Sequence, residues 1–234
     1  MLSGVVMHEW NKLLTEDGHT LDSYVAHPKG EAVGAIVVVQ EIFGVNGHIR
    51  SVADRFAAEG LLAIAPALFD RIEPGVELKY DGDDLSQAYS LMQKLTPHTA
   101  LLDIASAFSW AKQQGKDVGV VGFCYGGLMS WLAATRGAEM KIQPACCVGY
   151  YPGGIGKFAD EEPGCPVMLQ FGLEDSHIGQ DQVDAVRSAH PEVQINVYKG
   201  AEHGFNCDAR ASYNASAASL AWGRTIEFVK SHLA

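Results

Sequence analysis

Cys124 lies where the apolar run Gly119-Val120-Val121 passes into Gly122-Phe123-Cys124-Tyr125-Gly126-Gly127, with a small-residue helical stretch behind it. A strand that ends in Gly-x-Cys-x-Gly-Gly has the pattern of a nucleophile elbow, the sharp strand-to-helix turn that lifts one side chain clear of a sheet. Glycines suit such a turn because a Cβ there tends to collide. Serine is the usual occupant, so a thiol implies cysteine-based nucleophilic catalysis. A lone cysteine after a strand is more often a buried packing residue. The flanking glycines decide against that here.

A nucleophilic thiol needs a base, and the base needs a group to orient it. On an elbow fold these follow in the chain order nucleophile, acid, histidine. Asp175, in Leu173-Glu174-Asp175-Ser176-His177, and His203, in Glu202-His203-Gly204-Phe205, meet that order, each just past an apolar strand pattern. Glu174 competes with Asp175, and His177, another of the nine histidines, competes with His203. Asp175, His177 and His203 could together hold a metal ion, but that reading leaves the elbow unexplained, and no metal is assigned. Glu41, at the end of Ala35–Glu41 and beside Ile42 and Phe43, is a carboxylate suited to act as a second base. Its alternative is to hold loop amides.

These residues must be carried by strands. Short apolar runs alternate with helical patterns, as in a mostly parallel sheet with helices on both faces. Strands are expected over 35–41, 61–65, the run before Cys124, 146–151, 167–172 and 194–198. Helices are expected over 48–59, 100–112, 126–135, 180–189 and 215–233. Residues 67–97 are irregular, with a helix-like piece at 85–95, and read as an excursion that could roof a site. Cys146 and Cys147 read as strand packing. Asp81-Gly82-Asp83-Asp84 and Asp160-Glu161-Glu162 read as solvated loops. One α/β domain over residues 1–234 is expected, without repeats or linkers.

A formal charge of −11 disfavours nucleic acid and anionic membranes as partners. No apolar stretch reaches the ~18 residues needed to span a bilayer. The first ten residues lack a signal-peptide pattern. Five cysteines, an odd number without metal-type spacing, argue against a disulfide framework or a zinc site. The expectation is a cytoplasmic monomer or small homo-oligomer acting on a small molecule.

Four segments together resemble the dienelactone hydrolases (carboxymethylenebutenolidases). They are Gln40-Glu41-Ile42-Phe43-Gly44-Val45-Asn46, Gly122–Gly127, Gly172–Asp175 and Glu202-His203-Gly204-Phe205. The resemblance implies an α/β-hydrolase fold, a triad of Cys124, His203 and Asp175, and a Glu41 that helps deprotonate the thiol when substrate binds. It implies oxyanion donors in the Ile42 and Tyr125 amides and pocket roles for Phe43 and Tyr89, and nothing in the sequence calls for a cofactor. The substrate would be a small lactone or ester. Two arginines that hold a substrate carboxylate in the family fall, by register, at Leu85 and Cys207. Arg50, Arg71 or Arg210 could stand in for them. Without a stand-in, neutral substrates should do as well as anionic ones. Two other classes compete: a ligand-binding protein without turnover, and a thiol redox protein, for which Cys207 is the one candidate partner of Cys124 and no Cys-x-x-Cys exists.

Overall fold

A computed structural model describes residues 7–233. The strands are β1 (Met7–Leu14), β2 (Thr20–His27), β3 (Ala35–Val39), β4 (Leu62–Pro66), β5 (Val118–Phe123), β6 (Cys147–Tyr150), β7 (Val167–Gly172) and β8 (Gln194–Tyr198). They form one sheet in the order β1-β2-β4-β3-β5-β6-β7-β8, parallel from β4 to β8 and antiparallel at β1 and β2. Every residue of β3 to β7 is buried, as a sheet covered on both faces requires. That is why these strands read as unbroken apolar runs.

The helices are α1 (Gly47–Ala58), α2 (Asp83–Lys94), α3 (Pro97–Gln113), α4 (Tyr125–Arg136), α5 (Gln180–Ala189) and α6 (Ala215–His232). Their starts follow local chemistry. Asn46 Oδ1 accepts from the Ile49 amide, Thr96 Oγ1 from Thr99 with Pro97 opening the helix, and Asn214 Oδ1 from Ala217. Such caps satisfy amides that have no partner within the helix. Helices α3 and α4 pack together on one face. Helices α1 and α6 meet on the other, where the Phe56 and Trp222 rings lie 4.6 Å apart.

The chain leaves β3 toward β4 on one side and later builds outward from β5 on the other. The carboxyl ends of β3 and β5 therefore form a topological switch point, where open α/β sheets bind ligands. Glu41 follows β3 and Cys124 follows β5.

Three expectations need correction. The hairpin of β1 and β2 was not legible as strands: β1 is an edge strand with exposed residues at six of its eight positions. Its sequence lacks both an apolar run and a clean alternation. Asp83 and Asp84 are not loop residues but open α2, where acidic side chains suit the positive helix end. Glu161 is not merely solvated, since its carboxylate binds Arg136 Nη2 at 2.5 Å and accepts from Thr135 Oγ1 at 2.7 Å. Cys146 and Cys147 are fully buried, as expected of packing residues. Residues 1–6 of the segment read for a leader lie outside the described residues. Among the described residues, no helix is long and apolar enough to cross a membrane.

Candidate active site

Cys124 links β5 to α4 with φ 55° and ψ −115°. A side chain seldom tolerates this backbone, which costs about 1–3 kcal/mol and persists only where the surroundings enforce it. The strain falls on the cysteine itself. The glycines serve close approach instead: a Cβ on Gly122 would lie 1.9 Å from Gly126 O, one on Gly126 2.3 Å from Val39 O, and one on Gly127 2.4 Å from Tyr150 O. The Cys124 amide donates to Tyr150 O at 3.0 Å, tying the elbow to the neighbouring strand.

His203 follows β8. Its Nε2 lies 3.2 Å from Cys124 Sγ, and its Nδ1–H donates to Asp175 Oδ2 at 2.8 Å. The other oxygen, Asp175 Oδ1, accepts from the amides of His177 and Ile178 at 2.8 and 3.1 Å. Both ends of the carboxylate are thus fixed. Burial opposes a charge on His203, but the bonds to Asp175 and Cys124 outweigh it and push the imidazole up to about 10. Glu174, the competing acid, points elsewhere and accepts from the Gly200 amide at 2.7 Å. His177 stands edge-on to His203 with ring centres 5.0 Å apart. It borders the cavity but lies outside the Cys124–His203–Asp175 chain.

A cavity of about 440 Å³ opens over Cys124. Ile42, Phe43, Leu85, Tyr89 and Tyr125 line it, so all four side-chain and backbone sites expected from Ile42, Phe43, Tyr89 and Tyr125 share one space. Leu85, Tyr89 and Met92 come from α2, which roofs the cavity, as the 67–97 excursion suggested.

Glu41 is not in the cavity wall. It is fully buried, with Oε1 3.5 Å from Arg210 Nη1 and Oε2 without a hydrogen-bond partner. Among the described residues it makes no hydrogen bond to Cys124. Cys207 is also buried and away from the wall, and burial followed by the charge of Glu41 pushes its thiol up to about 12.

Of the three stand-in arginines, Arg71 is held by Asp17 and Asp103, and Arg50 by Glu77 at 2.6 Å. Arg210 alone of the three lines the cavity. Gly204, at φ 78°, makes room for it, since a Cβ there would lie 2.6 Å from the guanidinium. Tyr151 escaped the sequence reading. It sits just past β6 at φ 36°, its ring is 5.1 Å from that of His203, and its buried hydroxyl has no partner. An aromatic forced to positive φ leaves no mark in the sequence, where Tyr151 looks like one more strand residue.

The dienelactone hydrolase family profile matches residues 21–233. This chain belongs to the dienelactone hydrolase family. A Synechocystis sp. protein provisionally named a carboxymethylenebutenolidase is 35% identical over 231 residues, covering 90% of this chain and 91% of its own. The carboxymethylenebutenolidase of Pseudomonas putida is 32% identical over 223 residues, covering 91% and 92%. A crystal structure from Klebsiella pneumoniae subsp. pneumoniae, provisionally named a dienelactone hydrolase, superposes with a TM-score of 0.80 at 30% identity, covering 96% of this chain and 98% of its own. The present dienelactone hydrolase family member has the α/β-hydrolase fold and is a hydrolase of esters or lactones.

Proposed function

We propose that this hydrolase opens a small lactone or cleaves a small ester through a thioester on Cys124. The observation that carries the reading is the unbroken chain of polar contacts Cys124–His203–Asp175 at the floor of an apolar cavity. Cys124 Sγ attacks the carbonyl carbon, and the thiol proton resides on His203, where Asp175 stabilises the imidazolium. The developing oxyanion takes hydrogen bonds from the Ile42 and Tyr125 amides. Tyr125 opens α4, so its amide also carries the positive end of that helix. The alkoxide leaves with the proton from His203, which then accepts one from water as that water cleaves the thioester. These groups supply nucleophile, base and electrophile, and hydrolysis by this route needs no cofactor.

The substrate has an apolar body that fits among Phe43, Leu85, Tyr89 and Met92, with an anionic substituent that reaches Arg210. Charge-assisted bonds of this kind are the strong ones. An anion that engages Arg210 would free Glu41 from its cation, so that Glu41 can assist His203 in drawing the proton from the thiol. Residues 1–234 would act as one catalytic domain. The test is hydrolysis of a panel of lactones and aryl esters, with and without a carboxylate, by the wild type and by Cys124→Ala. Turnover that persists in the folded variant would refute the nucleophile.

A further inference from the structure

Behind the Cys124 cavity lies a second group of chemically able side chains that hydrolysis leaves unused. Glu41, His48 and Cys207 are all buried, and one donor atom from each lies within 4.8 Å of the others. Two of those residues have a free coordinating atom inside the protein: Glu41 Oε2 and His48 Nε2 are both buried without a hydrogen-bond partner. Unsatisfied buried polar atoms are costly and uncommon in native proteins. Two of them on residues that cluster with a thiol need an explanation.

The other side of the His48 ring is also arranged. His48 Nδ1 lies 3.3 Å from Asp208 Oδ1. A carboxylate on one ring nitrogen fixes the tautomer that leaves the other as a lone pair, the usual support of a metal-bound histidine. One nitrogen, one sulfur and one oxygen form a donor set suited to zinc and its chemical relatives. Tetrahedral bonds of 2.0–2.3 Å set donor atoms about 3.3–3.8 Å apart, so the three would need to draw together by at most about 1–1.5 Å. A route exists as well. His48 and Asp208 line a separate cavity of about 850 Å³, together with Asp81, Glu202, Tyr80 and Arg210. Three carboxylates on that approach favour a cation, against the two cationic side chains Lys79 and Arg210. Arg210 holds the opposite oxygen of Glu41, Oε1.

We propose that Glu41, His48 and Cys207 form a site for a divalent transition-metal ion of the zinc type, and that filling it withdraws Glu41 from the thiol chemistry. The second half rests on the role given to Glu41 above. On binding, the Cys207 S–H bond breaks, a sulfur–metal bond forms, and the proton passes to solvent. The sequence alone assigned no metal, because Glu41, His48 and Cys207 have no ligand spacing along the chain.

The experiment uses Co²⁺ as a spectroscopic probe and the full chain. Titrating Cys124→Ala protein with Co²⁺ should give a thiolate-to-cobalt charge-transfer band at one equivalent. Adding Cys207→Ala to that protein should abolish the band, and His48→Gln should do so independently, with near-ultraviolet circular dichroism confirming that each is folded. Asp208→Asn should weaken binding by about 10–100-fold. In the wild type, Zn²⁺ should inhibit ester hydrolysis, and Cys207→Ala should resist it. No band, or a band that survives Cys207→Ala, overturns the site. A site that binds while Cys207→Ala remains equally sensitive overturns the regulatory half. Because the cobalt spectrum does not depend on turnover, a protein that binds Co²⁺ but hydrolyses nothing would refute the proposed function and leave the site standing.

Discussion

Replacing Arg210 by glutamine should erase a preference for anionic substrates. The guanidinium borders the cavity, with 20% of its side chain exposed, and lies 5.5–6.0 Å from the ring centres of Tyr80 and Phe43. Its carboxylate partner, Glu41, is 3.5 Å away, the outer limit of a hydrogen bond. Arg210 can therefore turn to a substrate carboxylate without breaking a strong bond. A hydrogen bond to a charged group contributes about 1.5–3 kcal/mol, which corresponds to about 10- to 150-fold in kcat/KM. The assay compares kcat/KM for a carboxylated lactone and its methyl ester in the wild type, Arg210→Gln and Arg50→Gln. Glutamine keeps much of the stem, so packing is largely preserved. The anion-to-ester ratio should fall by that factor in Arg210→Gln and stay put in Arg50→Gln, whose partner is Glu77. An unchanged ratio in Arg210→Gln would refute the reasoning and restore the neutral-substrate expectation drawn from Leu85 and Cys207.

Three further outcomes are expected. His203 has its pKa pushed up to about 10 from an ordinary 6.5, so its charged form stabilises the folded state fully below about pH 6.5 and loses that contribution as pH rises to about 10. The stability penalty of His203→Gln, read from urea midpoints, should accordingly shrink across that window, and a constant penalty would contradict the ion-pair account. Glu41→Gln should slow Cys124 acylation and move the pH profile of thiol alkylation upward in the presence of an anionic substrate analogue; identical profiles would return Glu41 to a structural role. Gly126→Ala should destabilise the fold by upward of ~3 kcal/mol, beyond ordinary overpacking, because its Cβ would meet Val39 O and Gln40 O at 2.3 and 2.5 Å; a near-normal denaturation midpoint would show that the elbow yields.

What the sequence made legible was the machinery tied to strand ends. Helix α5 and strand β8 fall on their expected bounds, and Cys124, Asp175 and His203 converge because each follows a parallel strand, fully buried in β5 and β7 and half-buried in β8. The edge hairpin was lost for the opposite reason, since Met7–Leu14 buries too little to impose a pattern. Tyr151, and the meeting of His48 with Cys207, were invisible because they depend on backbone geometry and on segments 159 residues apart. Arg210 was one of three candidates, and only the pairing of Arg50 with Glu77 and of Arg71 with Asp17 and Asp103 singles it out. Sequence could name the cations but not their partners.

The central claim is a thioester on Cys124, and trapping it is the most direct test. An activated aryl ester mixed with the protein and quenched in acid at short times should add one acyl group, found by mass spectrometry on the peptide that contains Cys124. The adduct should form in a burst, accumulate in His203→Ala if deacylation is slowed more than acylation, and be missing from Cys124→Ala. An acyl group carried by another residue, or full turnover by folded Cys124→Ala, would contradict the account.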